Sequence, residues 1–69
     1  MERVTVISSN LVSVGFDADA NTLEVEFKGG KVYQYFDVPA HEHEALMQAP
    51  SHGIYFNQNI RKSYRFAEL

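Results

Sequence analysis

The stretch Thr22 to Phe36, TLEVEFKGGKVYQYF, constrains the fold more than any other part of the chain. Leu23, Val25 and Phe27 alternate with Thr22, Glu24, Glu26 and Lys28, the period-two pattern of a strand with one face buried. Gly29-Gly30 follows and can supply the positive φ angles of a tight turn. Val32, Tyr33, Tyr35 and Phe36 then read as a second strand of β-branched and aromatic residues. The segment is expected to form a β-hairpin.

The turn leaves two registers open. A strict two-residue turn places Phe27 opposite Val32 and sets Tyr33 and Tyr35 opposite Glu26 and Glu24. A three-residue turn with a bulge shifts the pairing by one and sends both tyrosines to the Val25/Phe27 face. The first register puts Gln34 in the core, while the second buries two rings and leaves Gln34 wet. Burying a large side chain stabilises by about 1.5–3 kcal/mol, and burying an unpaired amide costs a comparable amount. The bulged register is favoured.

The flanking segments extend this unit. Leu11, Val12, Val14 and Phe16, with Ser13, Gly15 and Asp17 on the alternate face, predict a strand joined to the hairpin by the turn-forming run Asp17–Asn21. Residues 1–7, with Val4, Val6 and Ile7, suit an edge strand or extended arm. On the C-terminal side, Pro39 fits the first position of a helix that Pro50 ends near Ala49. Glu42 and Glu44 suit the positive pole of its dipole, and His43, Leu46 and Met47 form a narrow stripe able to lie on the sheet. Ser51 is a natural cap for a second helix over about Gly53 to Arg61, in which Phe56, Ile60 and Tyr64 share a face. The tail RKSYRFAEL suits either continued helix or extended chain. The fold class expected is α+β, a three- to four-stranded antiparallel meander with one or two short C-terminal helices packed on one face.

With 69 residues there is room for one domain, residues 1–69, and a chain this short buries only about 60% of the surface it exposes when unfolded. There is no cysteine to supplement the core with a disulfide or thiolate site. A net charge of −3 argues against a surface that grips phosphates throughout. The N-terminus lacks a basic start followed by an apolar run, so no signal peptide is expected, and no stretch approaches the roughly 20 apolar residues of a membrane span. A soluble cytoplasmic protein is expected.

The ordered series of short motifs resembles the KTSC domain, a unit named for its place at the C-terminus of some lysyl-tRNA synthetases and found alone in small bacterial and phage-related proteins. The resemblance runs over about Ser8 to Phe66. It is carried by Val14-Gly15-Phe16-Asp17, Leu23-Glu24-Val25-Glu26-Phe27, Gly30-Lys31-Val32-Tyr33-Gln34-Tyr35, Val38-Pro39, Ala49-Pro50-Ser51 with Gly53, Tyr55-Phe56-Asn57, Ile60-Arg61 and Tyr64. Tyr33, Tyr35, Ser51 and Gly53 are the motif residues it marks, structural or functional. It implies a small module without established activity, and the synthetase context implies RNA. His43 departs from the pattern, standing where an aromatic or aliphatic residue would face the sheet, and makes that contact more polar and open to pH.

Chemical constellations are sparse. His41 and His43, two apart on a helix, project to nearly opposite sides and cannot chelate one ion, so no metal is expected. Ser51 and His52 are adjacent without triad geometry, and Glu24 and Glu26 suit an exposed strand face rather than an acid–base pair. Gly29-Gly30 joins two strands and is not a phosphate loop. No catalytic residue, cofactor or enzyme activity is expected. The one basic cluster, YFNQNIRKSYR over residues 55–65, sets Arg61, Lys62 and Arg65 among Tyr55, Tyr64 and Asn57. Cations that track phosphates beside rings that stack bases are how single strands are held, so RNA is the leading expectation. The alternative is that Phe56, Ile60 and Tyr64 are core and the charges solvate the outer face. A third class is protein–protein interaction or self-association, through the Arg3–Ile7 arm at a sheet edge.

Overall fold

A computed structural model describes residues 1–69 as a five-stranded antiparallel sheet with two helices on one face. The strands β1 (Val4–Thr5), β2 (Leu11–Asp17), β3 (Thr22–Phe27), β4 (Val32–Tyr35) and β5 (Phe66–Glu68) lie in chain order across the sheet. The helices α1 (Ala40–Gln48) and α2 (His52–Asn59) come between β4 and β5. The α+β meander expected from the sequence is present with one more strand than its upper count. The edge strand β1 forms at the N-terminus, and the undecided tail is extended and paired with β4. No helix is long and apolar enough to cross a membrane.

The central hairpin takes the bulged register. Val32 lies opposite Glu26, Tyr33 opposite Val25, Gln34 opposite Glu24 and Tyr35 opposite Leu23. Phe27 closes the loop through its N–H to Lys31 O at 2.8 Å, and its carbonyl accepts from Gly30 N at 3.0 Å. Both glycines have positive φ, 99° and 96°, which an L side chain rarely adopts. The other hairpin turns on Asp17, whose Oδ1 accepts from the N–H groups of Asp19 and Ala20, and on Asn21 at φ 51°.

One sheet face carries the core: Leu11, Val14, Leu23, Val25 and Tyr35, closed by Val38, Leu46 of α1, Phe56 of α2 and Ile60. Pro39 is the residue before α1, not its first helical residue, and Ala49 ends it. On the expected stripe Leu46 is fully buried, and the His43 ring stacks on Phe16 of β2, centroids 4.8 Å apart and 9° from parallel. Burial holds the His43 pKa below the ordinary histidine value, against a smaller opposing pull from Glu44. Ser51 caps α2, its Oγ accepting from Ile54 N at 3.2 Å. The helix stops at Asn59, short of Arg61, and Tyr64 packs on the core from the following turn.

The opposite sheet face overturns one expectation. Glu24 and Glu26 were assigned to an exposed surface, yet Glu24 is only 6% exposed. The N-terminal arm crosses that face and places the Arg3 guanidinium on Glu24, with Glu26 at 3.8 Å and Arg3 Nε donating to Ser13 Oγ at 2.9 Å. Gln34 Nε2 donates to Glu24 Oε1 at 2.9 Å, so Gln34 is half-buried and bonded rather than wet. The hydrogen bond from Gln34 and the charge and hydrogen bond of Arg3 together outweigh burial and hold the Glu24 pKa below its ordinary value. Gly15 makes the crossing possible: a Cβ there would sit 2.5 Å from the Glu2 carbonyl oxygen.

Candidate functional site

The helices cover only part of the apolar sheet face. At the β4–β5 edge Phe66 is largely exposed and Tyr33 half-buried, and an open groove of about 600 Å³ lies beside them. It is lined by the rings of Phe27, Tyr33, Tyr35, Phe56 and Phe66 and by the polar side chains of Asn10, Asn57, Arg61 and Lys62.

Its apolar floor is a continuous set of rings. Alternation along β4 directs Tyr33 and Tyr35 to the helix face, and antiparallel pairing sets Phe66 opposite Tyr35 and Glu68 opposite Tyr33. The Phe66 ring lies 5.8 Å from Tyr33 and 5.7 Å from Tyr35, while Tyr33 meets Phe27 edge-on at 5.6 Å. Tyr35 and Phe27 in turn meet Phe56 edge-on at 5.3 and 5.4 Å. These are the offset and T-shaped distances that ring quadrupoles favour. The rings touch one another, so no gap is left for a planar ligand to be sandwiched between them. Phe66 is 57% exposed and offers a free face, whereas Tyr35 is 4% exposed and acts as support.

The six residues of the basic cluster separate into three places. Asn57, Arg61 and Lys62 reach the groove. Tyr55 and Tyr64 turn away: the Tyr64 hydroxyl donates to Glu42 Oε2 at 2.9 Å and the Tyr55 hydroxyl donates to Oε1 of the same carboxylate. Burial, with the Glu42 bond, pushes the Tyr64 pKa up to about 12, and the Glu42 bond raises that of Tyr55. Arg65 leaves by the third route, paired with Asp37 at 2.7 Å and lying over the Phe36 ring at 5.5 Å. Of the four motif residues, Tyr33 and Tyr35 line the groove, while Ser51 caps α2. Gly53 is buried where a Cβ would collide with the Asn10 side chain.

Phe66, Phe27, Phe56 and Asn10 belong to the groove and were not among the site residues expected from the sequence. The signal available for Phe66 was alternation in the tail: once the tail is taken as a strand beside β4, Phe66 and Glu68 fall on the tyrosine face. No histidine lines the groove. His41 is exposed, His43 stacks on Phe16, and His52 Nδ1 lies 2.9 Å from Leu46 O.

The Arg3–Ile7 arm pairs with β2 of its own chain, Val4 opposite Val14 and Thr5 opposite Ser13, and Val6 N–H continues the ladder to Val12 O.

Comparison with known proteins fits this architecture. The KTSC domain family matches residues 7–64. The chain is 43% identical over 67 residues to an uncharacterized protein of Stutzerimonas stutzeri, covering 96% of this chain and 94% of that one. It is 41% identical over 54 residues to a lysine–tRNA ligase of Nostoc punctiforme, covering 78% of this chain but only 10% of the ligase. The crystal structure of a KTSC domain protein from Yersinia pestis superposes with a TM-score of 0.94 at 35% identity, covering 99% of this chain and 96% of that one. By sequence and by structure alike, the chain belongs to the KTSC domain family.

Proposed function

We propose that this protein is a non-catalytic binding module whose groove takes a single-stranded or unpaired segment of RNA. The observation that carries the reading is the juxtaposition of Arg61, Lys62 and Asn57 with the exposed ring of Phe66 and the half-buried ring of Tyr33. A single strand needs cations for its phosphates and a flat apolar surface for its unstacked bases, and both lie along one groove. The net charge of −3 opposes anion binding by the chain as a whole, but at the groove Arg61 and Lys62 have no carboxylate partner, whereas Arg3 and Arg65 are paired elsewhere. The similarity to one segment of lysine–tRNA ligases, proteins that handle tRNA by name, points the same way.

The binding residues are accordingly Arg61 and Lys62 for phosphate, Phe66 and Tyr33 for stacking, and Asn57 for a polar edge. Tyr55 and Tyr64 act on the fold, through Glu42. Fluorescence anisotropy of a labelled six-nucleotide single-stranded RNA at low salt tests the reading. Arg61→Ala with Lys62→Ala is expected to weaken binding and reduce its salt dependence with the circular dichroism spectrum unchanged; unaltered affinity would remove the groove from the account.

A further inference from the structure

Two cations, Arg61 and Lys62, line the groove, and one carboxylate, Glu68, lies outside the lining but bonded to Tyr33, which lines it. Arg61 shares the lining with Tyr35, and its charge opposes the rise that burial imposes on the Tyr35 pKa. Glu68 lies beside the groove, directly across the β4–β5 ladder from Tyr33. The Tyr33 hydroxyl donates to Glu68 Oε1 at 3.3 Å, and Oε2 has no partner within the chain. Beside these groups lies the aromatic floor, with the Phe66 face free.

An occupant matched to this layout has an anionic group, a flat apolar part and a hydrogen-bond donor. A nucleotide with an exocyclic amino group has that layout. Its phosphate would lie on Arg61 and Lys62, its base on Phe66 and Tyr33, and its amino group would donate to the free oxygen of Glu68. Uracil presents a carbonyl oxygen at the position where cytosine carries its amino group, and two acceptors facing each other repel. A carboxylate accepting from the cytosine amino group is an established mode of base discrimination.

Resting on the reading of the groove as an RNA site, we propose that Glu68 makes the groove select nucleotides whose base carries an exocyclic amino group and reject uracil. Cytosine and uracil are nearly isosteric pyrimidines, so comparing them isolates the amino group from stacking strength. The experiment is a binding titration of the full chain with oligocytidylate and oligouridylate of six nucleotides at matched salt, repeated with Glu68→Gln. Glu68 is exposed, so the substitution leaves the core untouched, which circular dichroism checks.

The result expected is about tenfold tighter binding of the cytidine strand, with the preference lost in Glu68→Gln because an amide can donate to the uracil oxygen as well as accept from the cytosine amino group. Equal binding of the two strands would overturn the selectivity while leaving the RNA site standing. A cytidine preference that survives Glu68→Gln would overturn the role of Glu68. Failure of both strands to bind would overturn the RNA reading and the selectivity together.

Discussion

Two pairs of tyrosines stand in this chain at similar-looking places in its sequence motifs and do different things. Tyr55 and Tyr64 direct both hydroxyls onto one carboxylate, Glu42, and so tie the first turn of α1 to α2 and to the turn that follows it. Tyr33 and Tyr35 are held by their rings, packed against Phe27, Phe56 and Phe66, and line the open groove on the apolar sheet face. The difference lies in what the helices cover. The hydroxyls of Tyr55 and Tyr64, committed to Glu42, close the fold, whereas the half-buried Tyr33 ring faces an open groove beside two unpaired cations, with the buried Tyr35 ring as its support. Aromatic and basic residues close in sequence therefore need not share one surface, and the basic cluster divides accordingly.

The comparison can be broken most forcefully at Glu42. Glu42→Ala strands two hydroxyl groups at once, and a hydrogen bond to a charged acceptor contributes about 1.5–3 kcal/mol. A loss of about 2–3 kcal/mol is expected in urea unfolding, with little change in RNA affinity of the folded protein. A fall in affinity with intact stability would assign the tyrosine clamp to binding instead. The reverse pattern is expected for Phe66→Ala. Removing an exposed stacking ring should cost about 1–3 kcal/mol of single-strand binding, and thermal unfolding should move far less. A drop in stability without loss of binding would make Phe66 a sheet residue only.

Most of what carries that contrast was legible in the sequence, and what escaped has a local cause. The hairpin register followed from weighing two buried rings against one amide, and Ser51 as a cap followed from its position after Pro50. The position of the groove depended on the tail. Phe66-Ala67-Glu68 is too short to show a period, and its strand exists because β4 offers an open edge. Glu24 was misplaced because alternation assigns a face but not what crosses it. Arg3 comes from outside the hairpin, and the only sequence trace of its path is the missing side chain at Gly15.

Smaller effects sharpen the division between cations. Arg61→Ala with Lys62→Ala should lower the slope of log affinity against log salt by about 1.4, on the basis of about 0.7 per phosphate contact for a single strand. Arg65→Ala should leave the slope unchanged, since that guanidinium is occupied by Asp37 and Phe36. Equal slopes for both variants would erase the distinction between free and paired cations.

The pH dependence of stability separates the two sheet faces. Glu24 has a folded pKa below its unfolded value, so its contribution is present at neutral pH and lost as pH falls through the folded value. His43 is also lowered, and for a base this means that the folded protein favours the neutral ring. Its contribution is complete above the ordinary histidine value and declines as pH falls toward the folded one. Urea midpoints measured from pH 8 downward should therefore drop first in a His43 window and then in an acidic Glu24 window. His43→Phe, which keeps a ring on Phe16, should remove the first alone. A first step that persists in that variant would place its origin elsewhere.

The most direct measurement is an NMR titration of the isotopically labelled protein with a short mixed-sequence single-stranded RNA at low and at moderate salt. The account predicts shifts at Tyr33, Asn57, Arg61, Lys62 and Phe66 that diminish as salt rises, with Tyr55 and Tyr64 left in place on Glu42. The absence of shifts at low salt, where phosphate contacts are strongest, or shifts centred on Tyr55, Tyr64 and Glu42, would contradict it.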